Sequence, residues 1–403
     1  MLLPTLLLAV LGHVLLWVAV VNRAHGVNLP RVAGHVASAV CLLLLVAIPL
    51  LFGGWIYTAG WEVFLGSFRL WPAPPPGRMA AVLYVGVCAA TAVLAVAHWV
   101  WRNLLLGPPG VIRSQQTRSL SLRGVGEAVT SEEHAHHFLI HLPGNEILDL
   151  DLSERAIDVP RLPAALDGLS IVHLSDFHFT GRVGKAYFRE VVRLANHARP
   201  DLIAVTGDLV DDRRCLDWIP DTLGQLTARY GVFFVLGNHD LWSDGEGIRR
   251  MLTDHGLVDL GGRWVTIEAR GEPIVLAGNE LPWIAPAADL RFCPRRTPSG
   301  GPIRIVLSHS PDQLEWAQAQ DADLLLAGHT HGGQIRLPII GPLLTPSQAG
   351  VRYASGVFYA PPTIMHVTRG VSGEFPVRLN CPPEMAHLVL RAVLPGPGGG
   401  MPE

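Results

Sequence analysis

Five short segments of the sequence carry acidic, amide and imidazole side chains of the types that bind metal ions in proteins. Together they contain seven candidate ligands: Asp176, His178, Asp208, Asn238, His309, His329 and His331. Seven ligands are too many for one tetrahedral ion, but they suit two ions that share a carboxylate. Two such ions clamp the attacking and leaving oxygens of a phosphoryl displacement. The residue types therefore predict a two-metal site for phosphate chemistry, with Mn, Fe or Zn as the candidate ions.

Each segment is a weak signal by itself, because an isolated Asp-x-His or Gly-Asp pair is more often part of a turn. Their common position is more informative, since each segment follows a short apolar run. The five runs are Ile171–Leu174, Leu202–Val205, Val232–Leu236, Ile303–Leu307 and Leu324–Leu326. Continuous apolar runs are typical of strands buried on both faces, and α/β sheets bind ligands beyond the carboxyl ends of their strands. We therefore expect the five segments to meet at one edge of an α/β domain, with a helix over Lys185–His197 between two of the strands.

Other histidines in the chain have simpler interpretations. His173 lies inside the first apolar run, so it is predicted to be a core residue without a metal-binding role. A second group, His134, His136 and His137 with His141 nearby, follows Glu132 and Glu133 and is an alternative metal-binding tract. Exposed histidines of a half-buried hairpin are the favoured interpretation, because no spacing in this tract specifies a coordination geometry.

The composition describes an unusual chain of 403 residues, with 49% hydrophobic and only 16% charged residues. Soluble domains carry about 25% charged residues, and disordered chains are poor in hydrophobic residues. Neither class fits. A net charge of −3 argues against a general nucleic-acid-binding protein, so no nucleic-acid partner is expected. The five cysteines are scattered without a Cys-x-x-Cys pair, which excludes a zinc–thiolate site and a disulfide framework.

The apolar excess is concentrated near the N-terminus, in windows 2–21, 34–58 and 79–101 that contain no formal charge. A bilayer-spanning helix needs about 20 apolar residues, so these windows predict three transmembrane helices within a membrane region at 1–106. Buried core helices are the alternative, but they are usually shorter and keep a polar face. A cleaved signal peptide is disfavoured for the first window, because no basic residue precedes it and no cleavage site follows Val21.

Arginine positions predict the orientation of this multi-pass region in the cell membrane. The first loop and the segment after the third window contain six arginines, whereas the second loop contains Arg69 and Arg78. Because cytoplasmic loops carry the excess of basic residues, we expect the C-terminal domain to lie in the cytoplasm.

The remaining boundaries follow from breaks in these patterns. Residues 107–154 begin with Gly107-Pro108-Pro109-Gly110 and are predicted to hold a linker or irregular strand over Ser114–Glu133. His134–Leu142 and Glu146–Leu152 alternate weakly, so we expect them to pair as edge strands. Residues 155–394 form the predicted α/β domain, and the Pro- and Gly-rich residues 395–403 a disordered tail.

The order of motifs resembles the calcineurin-like metallophosphoesterases over about residues 155–393. The matching blocks are Asp176-x-His178, Gly207-Asp208-x-x-Asp211, Gly237-Asn238-His239-Asp240, His309 and Gly328-His329-x-His331. Longer runs resemble a bacterial subgroup that is often membrane-anchored, namely Leu174–His178, Ser308–Asp312, Gly328–Pro338 and Arg378–Glu384. The resemblance implies a four-layer αββα sandwich, here preceded by the all-α membrane region.

The resemblance also implies roles for individual residues. One ion would be bound by Asp176, His178, Asp208 and His331, and the other by Asp208, Asn238, His309 and His329. A hydroxide held between the two ions would attack phosphorus in line. His239 would stabilise or protonate the leaving oxygen, with Asp240 or Asp211 orienting its ring. A purely structural hydrogen bond is the alternative for His239.

These observations predict a membrane-anchored, two-metal phosphodiesterase or phosphomonoesterase whose partners are the membrane and a phosphoester. A lipid-linked phosphate is one candidate substrate. The alternative is a non-catalytic membrane sensor or scaffold that retains a metal-binding phosphatase fold, which would be expected to have lost some ligands. A transporter would need ionisable residues inside the spans, and only His13, His35 and His98 qualify.

Overall fold

The computed structural model describes residues 2–28, 31–59, 76–101, 109–126, 137–294 and 301–393. The chain divides into two compact units, Met1–Pro108 and Pro109–Glu403. The second unit contains every candidate metal ligand.

The first unit consists of long apolar helices: α1 (Leu2–His25), α2 (Arg31–Ala59) and α3 (Pro76–Val100). By length and composition, all three of these helices are long and apolar enough to cross a membrane. The polar side chain of His13 finds partners on the neighbouring helices, since its ring nitrogens lie 2.7 Å from Tyr84 Oη and 3.0 Å from the Leu45 carbonyl oxygen. Interhelical hydrogen bonds of this kind satisfy polar groups in an apolar environment, so His13 needs no transport role.

The second unit is built on two mixed sheets. The seven-stranded sheet has the order β1-β2-β15-β3-β4-β5-β6, and the six-stranded sheet the order β13-β14-β10-β9-β8-β7. Strands β11 and β12 form a separate hairpin. The strand bounds are β1 Ile112–Ser121, β2 Asp149–Val159, β3 Leu169–Leu174, β4 Leu202–Thr206, β5 Val232–Val235, β6 Val258–Asp259, β7 Trp264–Ala269, β8 Glu272–Asn279, β9 Ile303–Ser308, β10 Leu324–Ala327, β11 Arg336–Leu337, β12 Gly341–Pro342, β13 Gly356–Ala360, β14 Thr363–Val367 and β15 Glu384–Ala392.

Four short or medium-length helices accompany the sheets. They are α4 (Lys185–His197), α5 (Asn238–Ser243), α6 (Gly245–Asp254) and α7 (Leu314–Ala319), with a single turn at Arg123–Gly126. Short 3₁₀ segments lie at His137–His141, Ala164–Leu166, Arg213–Asp221, Leu223–Gln225, Leu290–Phe292, Pro311–Gln313, His331–Gly333 and Gly350–Tyr353. The helix predicted over Lys185–His197 is confirmed. Its apolar positions fall on one face, where Tyr187, Phe188 and Val191 are fully buried.

Buried side chains form three apolar layers, which define the four-layer order helix–sheet–sheet–helix. The middle layer joins the facing sheets through residues such as Ile171 of β3 and Leu307 of β9. One outer layer packs α4 and α6 on the first sheet, and the other packs α7 on the second. The αββα sandwich implied by the resemblance is therefore confirmed.

The five predicted strands are present, but they are divided between the two sheets. Strands β3, β4 and β5 run parallel in the first sheet, and β9 and β10 run parallel in the second. Because parallel strands end at the same edge, the polar segments after them gather at one end of each sheet.

The region before β3 differs from the sequence-based expectation. The predicted pairing of His134–Leu142 with Glu146–Leu152 is wrong. The first part of Ser114–Glu133, expected to be a linker or irregular strand, belongs to the edge strand β1 (Ile112–Ser121), which pairs with β2. Asn145 explains the difference, because its side-chain amide donates to the carbonyls of Leu139 and Pro376 at 2.7 and 2.8 Å. These bonds hold the intervening chain as turns.

Some expectations fall on residues outside the described ranges. The disordered tail at 395–403 and the tract residues His134 and His136 lie there. Within the described part of the chain, His137 and His141 belong to a 3₁₀ segment, and neither joins a cluster of potential metal ligands.

Candidate metal centre

All seven predicted ligands lie just beyond strand ends. Asp176 and His178 follow β3, Asp208 follows β4, and Asn238 opens α5 directly after β5. His309 follows β9, and the last two ligands follow β10. Three overlapping clusters of potential ligands result: Asp176–His178–His331, His178–Asp208–His239 and Asp208–His309–His329. The strand ends of both sheets thus contribute to one site.

The first cluster contains Asp176, His178 and His331. The Nε2 atoms of His178 and His331 lie 3.1 Å apart, and His331 Nε2 lies 3.4 Å from Asp176 Oδ1. His178 Nδ1 donates to the carboxylate of Asp211 at 3.0 Å. Since that bond occupies the Nδ1 proton, Nε2 of His178 is left with its lone pair toward the cluster.

A cluster that shares no residue with the first contains Asp208, His309 and His329. We call it the second cluster. His309 Nε2 lies 3.0 Å from Asp208 Oδ2 and 3.1 Å from His329 Nδ1. The Thr206 carbonyl accepts a hydrogen bond from His309 Nδ1 at 2.7 Å. This bond orients the ring and leaves Nε2 of His309 as the nitrogen that faces the cluster.

Asp208 of the second cluster also approaches the first cluster. Its Oδ2 is 3.0 Å from His309 Nε2 and 3.7 Å from His178 Nε2. Its Oδ1 accepts a hydrogen bond from the His239 backbone N–H at 2.9 Å. A carboxylate in this position could bind one ion in each cluster.

The arrangement of these atoms fits divalent metal ions. Ligand atoms bound about 2.0–2.2 Å from one ion lie roughly 3–3.5 Å from one another. Two separations in each cluster, between 3.0 and 3.4 Å, fall in that range, and His178 Nε2 lies 3.9 Å from Asp176 Oδ1. In addition, Oδ1 of Asn238 is buried, and within the described structure no hydrogen-bond donor satisfies it. A buried amide oxygen without a donor is costly, and a cation would satisfy it.

The backbone around the ligands is strained. Left-handed φ angles occur at the five residues Asp176 (55°), His178 (46°), Asp208 (54°), His329 (69°) and His331 (51°). Each such residue costs about 1–3 kcal/mol unless its surroundings compensate, and strain of this type clusters at functional sites. The fold thus maintains an unfavourable backbone where it presents these side chains.

Two glycines bring the backbone very close to candidate metal ligands. A Cβ added to Gly237 would lie 2.1 Å from Asp208 Oδ1, and one added to Gly328 would lie 2.5 Å from Asp176 Oδ2. Any side chain at these positions would displace a candidate ligand, so the glycines are required by the packing of the ligands themselves.

Asp211 holds both His178 and His239. His239 Nδ1 lies 2.9 Å from Asp211 Oδ1, so this carboxylate orients the ring. The carboxylate of Asp240 instead accepts from the backbone N–H groups of Leu209, Val210 and Gly237, at 2.8, 3.0 and 3.0 Å. Of the two predicted partners for the His239 ring, Asp211 makes the contact. Asp240 instead binds backbone N–H groups of the two loops that follow β4 and β5.

Burial and neighbouring charges shift the pKa values of the ionisable groups in the site in different directions. Burial opposes the charged form of His239, but the carboxylates of Asp208 and Asp211 outweigh it and raise its pKa to about 10. Burial likewise opposes ionisation of Asp208, yet the neighbouring histidines, first His309 and then His239, hold its pKa well below its ordinary value. For His329 and His331, burial and the adjacent histidines lower the pKa. The shifts at Asp208, His329 and His331 favour the ionised carboxylate and the neutral imidazoles that bind metal ions, whereas nearby carboxylates raise the pKa of His178 and His309.

Sequence reasoning missed Arg378, which is fully buried beneath the site. Its guanidinium donates to the backbone carbonyls of His331 at 3.1 Å and Arg369 at 2.7 Å, and also to that of Ser372. The signal was present, since Arg378 opens the run Arg378–Glu384 that carries the resemblance. Trp283 was also missed. Its ring lies 4.7 Å from that of His329 and 5.5 Å from that of His309, so it forms an aromatic wall beside the second cluster.

Comparison with known proteins matches this geometry. A family model described as calcineurin-like phosphoesterase matches residues 169–333. The chain is 31% identical over 225 residues to the phosphodiesterase YaeI of Escherichia coli (strain K12), a match that covers 55% of this chain and 81% of that protein. The chain belongs to the calcineurin-like phosphoesterase family.

Two further relatives of this calcineurin-like phosphoesterase differ in how much of their length is matched. The chain is 29% identical over 268 residues to the uncharacterized metallophosphoesterase YkuE of Bacillus subtilis (strain 168), covering 60% of this chain and 86% of that protein. It is 32% identical over 251 residues to a Danio rerio protein named transmembrane protein with metallophosphoesterase domain, covering 58% of this chain. The match spans 56% of the length of the Danio rerio protein.

Proposed function

We propose that this protein is a membrane-anchored phosphoesterase that uses two divalent metal ions. The observation that supports this most strongly is the convergence of seven candidate ligands from strand ends in two sheets, with two pairs of ligand atoms 3.0 to 3.4 Å apart in each cluster. Two ions bound there would activate water and neutralise the phosphoryl oxygens. No candidate ligand is missing, which favours an enzyme over the non-catalytic sensor or scaffold.

The ligands divide as the resemblance implies. Asp176, His178 and His331 would hold one ion, and Asn238, His309 and His329 the other. Asp208 would contact both, because its Oδ2 faces a histidine of each cluster. The hydrogen bonds from His178 to Asp211 and from His309 to Thr206 would keep the ligating nitrogens aimed at the ions.

His239 would donate a proton to the leaving oxygen. Its ring is half-buried, Nδ1 is held by Asp211 at 2.9 Å, and Nε2 lies 4.0 Å from the exposed carboxylate of Glu374. A ring anchored at one nitrogen and open at the other is positioned for general acid catalysis. Asp211 would keep the ring oriented without contacting the substrate.

The substrate we propose is a phosphodiester at the membrane surface, with a lipid-linked phosphate as the leading candidate. The name of the E. coli relative supports a diester, and the apolar helices of this chain support a location at the membrane. The arginines of the first loop and of the segment after the third helix support a cytoplasmic catalytic domain in a multi-pass protein.

The test uses the full chain purified in detergent and compares it with Asp208→Asn. The wild type should bind about two Mn²⁺ ions and hydrolyse bis-p-nitrophenyl phosphate, and the variant should lose at least about 100-fold in kcat/KM together with metal content. Asp254→Asn, an exposed carboxylate on α6, is the matched control and should behave as wild type. Metal binding by the wild type without hydrolysis of any aryl phosphoester would favour the sensor or scaffold instead.

A further inference from the structure

Another strand end lies beside those that carry the candidate ligands. Strand β8 runs parallel to β9, and their register pairs Asn279 with Ser308, so Glu280 is level with the ligand His309. Glu280 is 1% exposed, and it belongs to none of the clusters of potential metal ligands in the described structure. A carboxyl group buried to this degree needs partners, because an unpaired buried charge is costly. The partners of Glu280 therefore indicate its role at this edge of the domain.

The side chain of Glu280 joins the two sheets close to a ligand. The residue follows β8 of the six-stranded sheet, and its Oε1 accepts a hydrogen bond from the backbone N–H of Leu236 at 2.6 Å. Leu236 follows β5 of the seven-stranded sheet and lies two residues before Asn238. Glu280 thus connects the strand end that supplies Asn238 with the strand end next to His309.

The direction of the Asn238 amide depends on the backbone that carries it. Its Oδ1 is buried, and no donor in the described structure holds it in place. The preceding N–H groups are held instead, since Gly237 donates to Asp240 of α5 at 3.0 Å and Leu236 donates to Glu280. The bond to Glu280 is the one that comes from the other sheet. Its loss would release the strand end that aims Asn238 at the site.

Arg249 of α6 fixes the carboxylate of Glu280. Its guanidinium donates to Glu280 Oε2 and, at 2.5 Å, to Asp259 Oδ1. Gly261 packs against the same pair, because a Cβ added there would lie 2.7 Å from Glu280 Oε2. Charge-assisted hydrogen bonds of this kind are stronger than those between neutral groups. With Oε2 occupied by Arg249, Oε1 is left facing the N–H of Leu236.

The backbone of Glu280 positions a second feature of the site. Its carbonyl oxygen accepts hydrogen bonds from the N–H groups of Trp283 and Ile284, both at 3.1 Å. These bonds form the turn that places the Trp283 ring 4.7 Å from the ring of His329. One buried residue thus connects Asn238 with the aromatic wall beside the second cluster.

We propose that Glu280 is a positioning residue for one of the two metal ions. That ion is the one assigned to Asn238, His309 and His329. Glu280 acts on it through the backbone, by holding the strand end before Asn238 in place. The other ion depends on a different support, since His178 of its cluster is held by Asp211. The inference rests on the proposed two-metal function and adds that one ion site requires a carboxylate outside the ligand clusters.

The test counts bound ions and needs no turnover. The full chain in detergent is titrated with Mn²⁺ and followed by electron paramagnetic resonance, in which a coupled pair of ions differs from a single ion. The wild type should show the coupled pair. Glu280→Ala should lose about 10–100-fold in affinity for one ion and give the single-ion spectrum at Mn²⁺ concentrations that fill both wild-type sites. Glu280→Gln keeps an acceptor for Leu236 but not the charge that pairs with Arg249, so it should weaken the same ion less.

Asp323 offers a matched control at the opposite end of the second sheet, where it precedes β10. It is 2% exposed, accepts a hydrogen bond from the backbone N–H of Arg304 at 2.8 Å, and pairs with Arg161 Nε at 2.8 Å. Asp323→Ala therefore removes the same kind of buried carboxylate without touching the site. It should lower the urea concentration at which the chain unfolds and still bind the coupled pair of ions.

The possible outcomes separate this inference from the function on which it rests. Wild-type affinity for both ions in either folded Glu280 variant would overturn the proposal and leave the two-metal function intact. Loss of both ions from Glu280→Ala at equal affinity would indicate a general structural role and would also overturn it. Fewer than two ions bound by the wild type would contradict the proposed function, and the role of Glu280 would fall with it.

Discussion

The Nδ1 atoms of His173 and His366 lie 2.9 Å apart in the buried layer between the two sheets. Only one of them can carry the shared proton. Arg155, which can only donate, lies 3.1 Å from His366 Nε2, so that nitrogen accepts and His366 Nδ1 holds the proton. His173 therefore accepts at Nδ1 and donates from Nε2 to Thr206 Oγ1 at 2.9 Å. A directed chain of hydrogen bonds thus reaches the residue whose carbonyl orients His309.

This pair predicts a pH dependence of stability. Burial, followed for His366 by the charge of Arg155, lowers the pKa of both histidines, that of His173 to about 3. Because the unfolded chain binds protons near pH 6.5 and the folded pair does not, stability is complete above that pH and is lost as the pH falls from 6.5 toward 3. The slope should be up to about 1.4 kcal/mol per pH unit for each histidine.

The comparison that isolates this effect is wild type against His366→Gln. Urea unfolding of the full chain, followed by tryptophan fluorescence at pH 7, 6 and 5, should show the wild-type advantage shrinking as the pH falls. His197→Gln, exposed at the end of α4, is the matched control and should parallel the wild type. An advantage that stays constant or grows on acidification would contradict the lowered pKa of the buried pair.

Replacing His239 should lower kcat most for substrates whose leaving oxygen needs a proton. His239→Gln should retain bound metal and lose about 10²–10⁴-fold in kcat toward an alkyl phosphodiester, whose leaving oxygen needs a proton. The loss toward bis-p-nitrophenyl phosphate should be much smaller. His255→Gln, an exposed histidine, should lose nothing. Equal losses on both substrates would instead indicate a structural role for His239.

Gly237 provides a test of the ligand geometry through the backbone. Gly237→Ala places a methyl group 2.1 Å from the original position of Asp208 Oδ1, so the carboxylate must move. Metal affinity should fall by about 10–100-fold, measured by titration with Mn²⁺. The matched control is Gly245→Ala, where the nearest atom to the added Cβ is 3.6 Å away. Similar metal affinity for the two variants would show that Asp208 is not held where the ions bind.

Arg378 should act mainly through stability. The guanidinium of Arg378 donates hydrogen bonds to the carbonyls of His331, Arg369 and Ser372. Arg378→Lys replaces it with a single ammonium group. Leaving buried carbonyls without donors should reduce the free energy of unfolding by about 2–4 kcal/mol. Arg193→Lys on the exposed face of α4 should change it by less than about 0.5 kcal/mol. Denaturant titration distinguishes these outcomes, and a stable Arg378→Lys would show that the buried guanidinium is dispensable.

The candidate ligands were accessible from the sequence because each depends on local information. An apolar run identifies a strand buried on both faces, and the polar residues after it must lie at its carboxyl end. Asp176 and His309 are examples, since their positions after β3 and β9 follow from the chain alone. The long apolar helices were equally accessible, because bilayer thickness sets a length that few soluble helices reach.

Other contacts depended on how distant segments pack. The sequence predicted Asp240 or Asp211 as the partner of His239, and only the folded loops showed that Asp211 makes the contact. The pairing of β2 with β15 joins residues more than 200 positions apart, so no local pattern near Asp149 indicated it.

The sequence by itself determined the residue types, the order of the strand ends and the apolar helices, since each of these is a property of consecutive residues. The tertiary structure decided which side chains share one buried space. His173 and His366 illustrate the distinction, because each resembles an ordinary core histidine until two sheets bring them together. Side-chain partnership between layers is set by packing across the whole domain, and one segment of sequence does not contain that information.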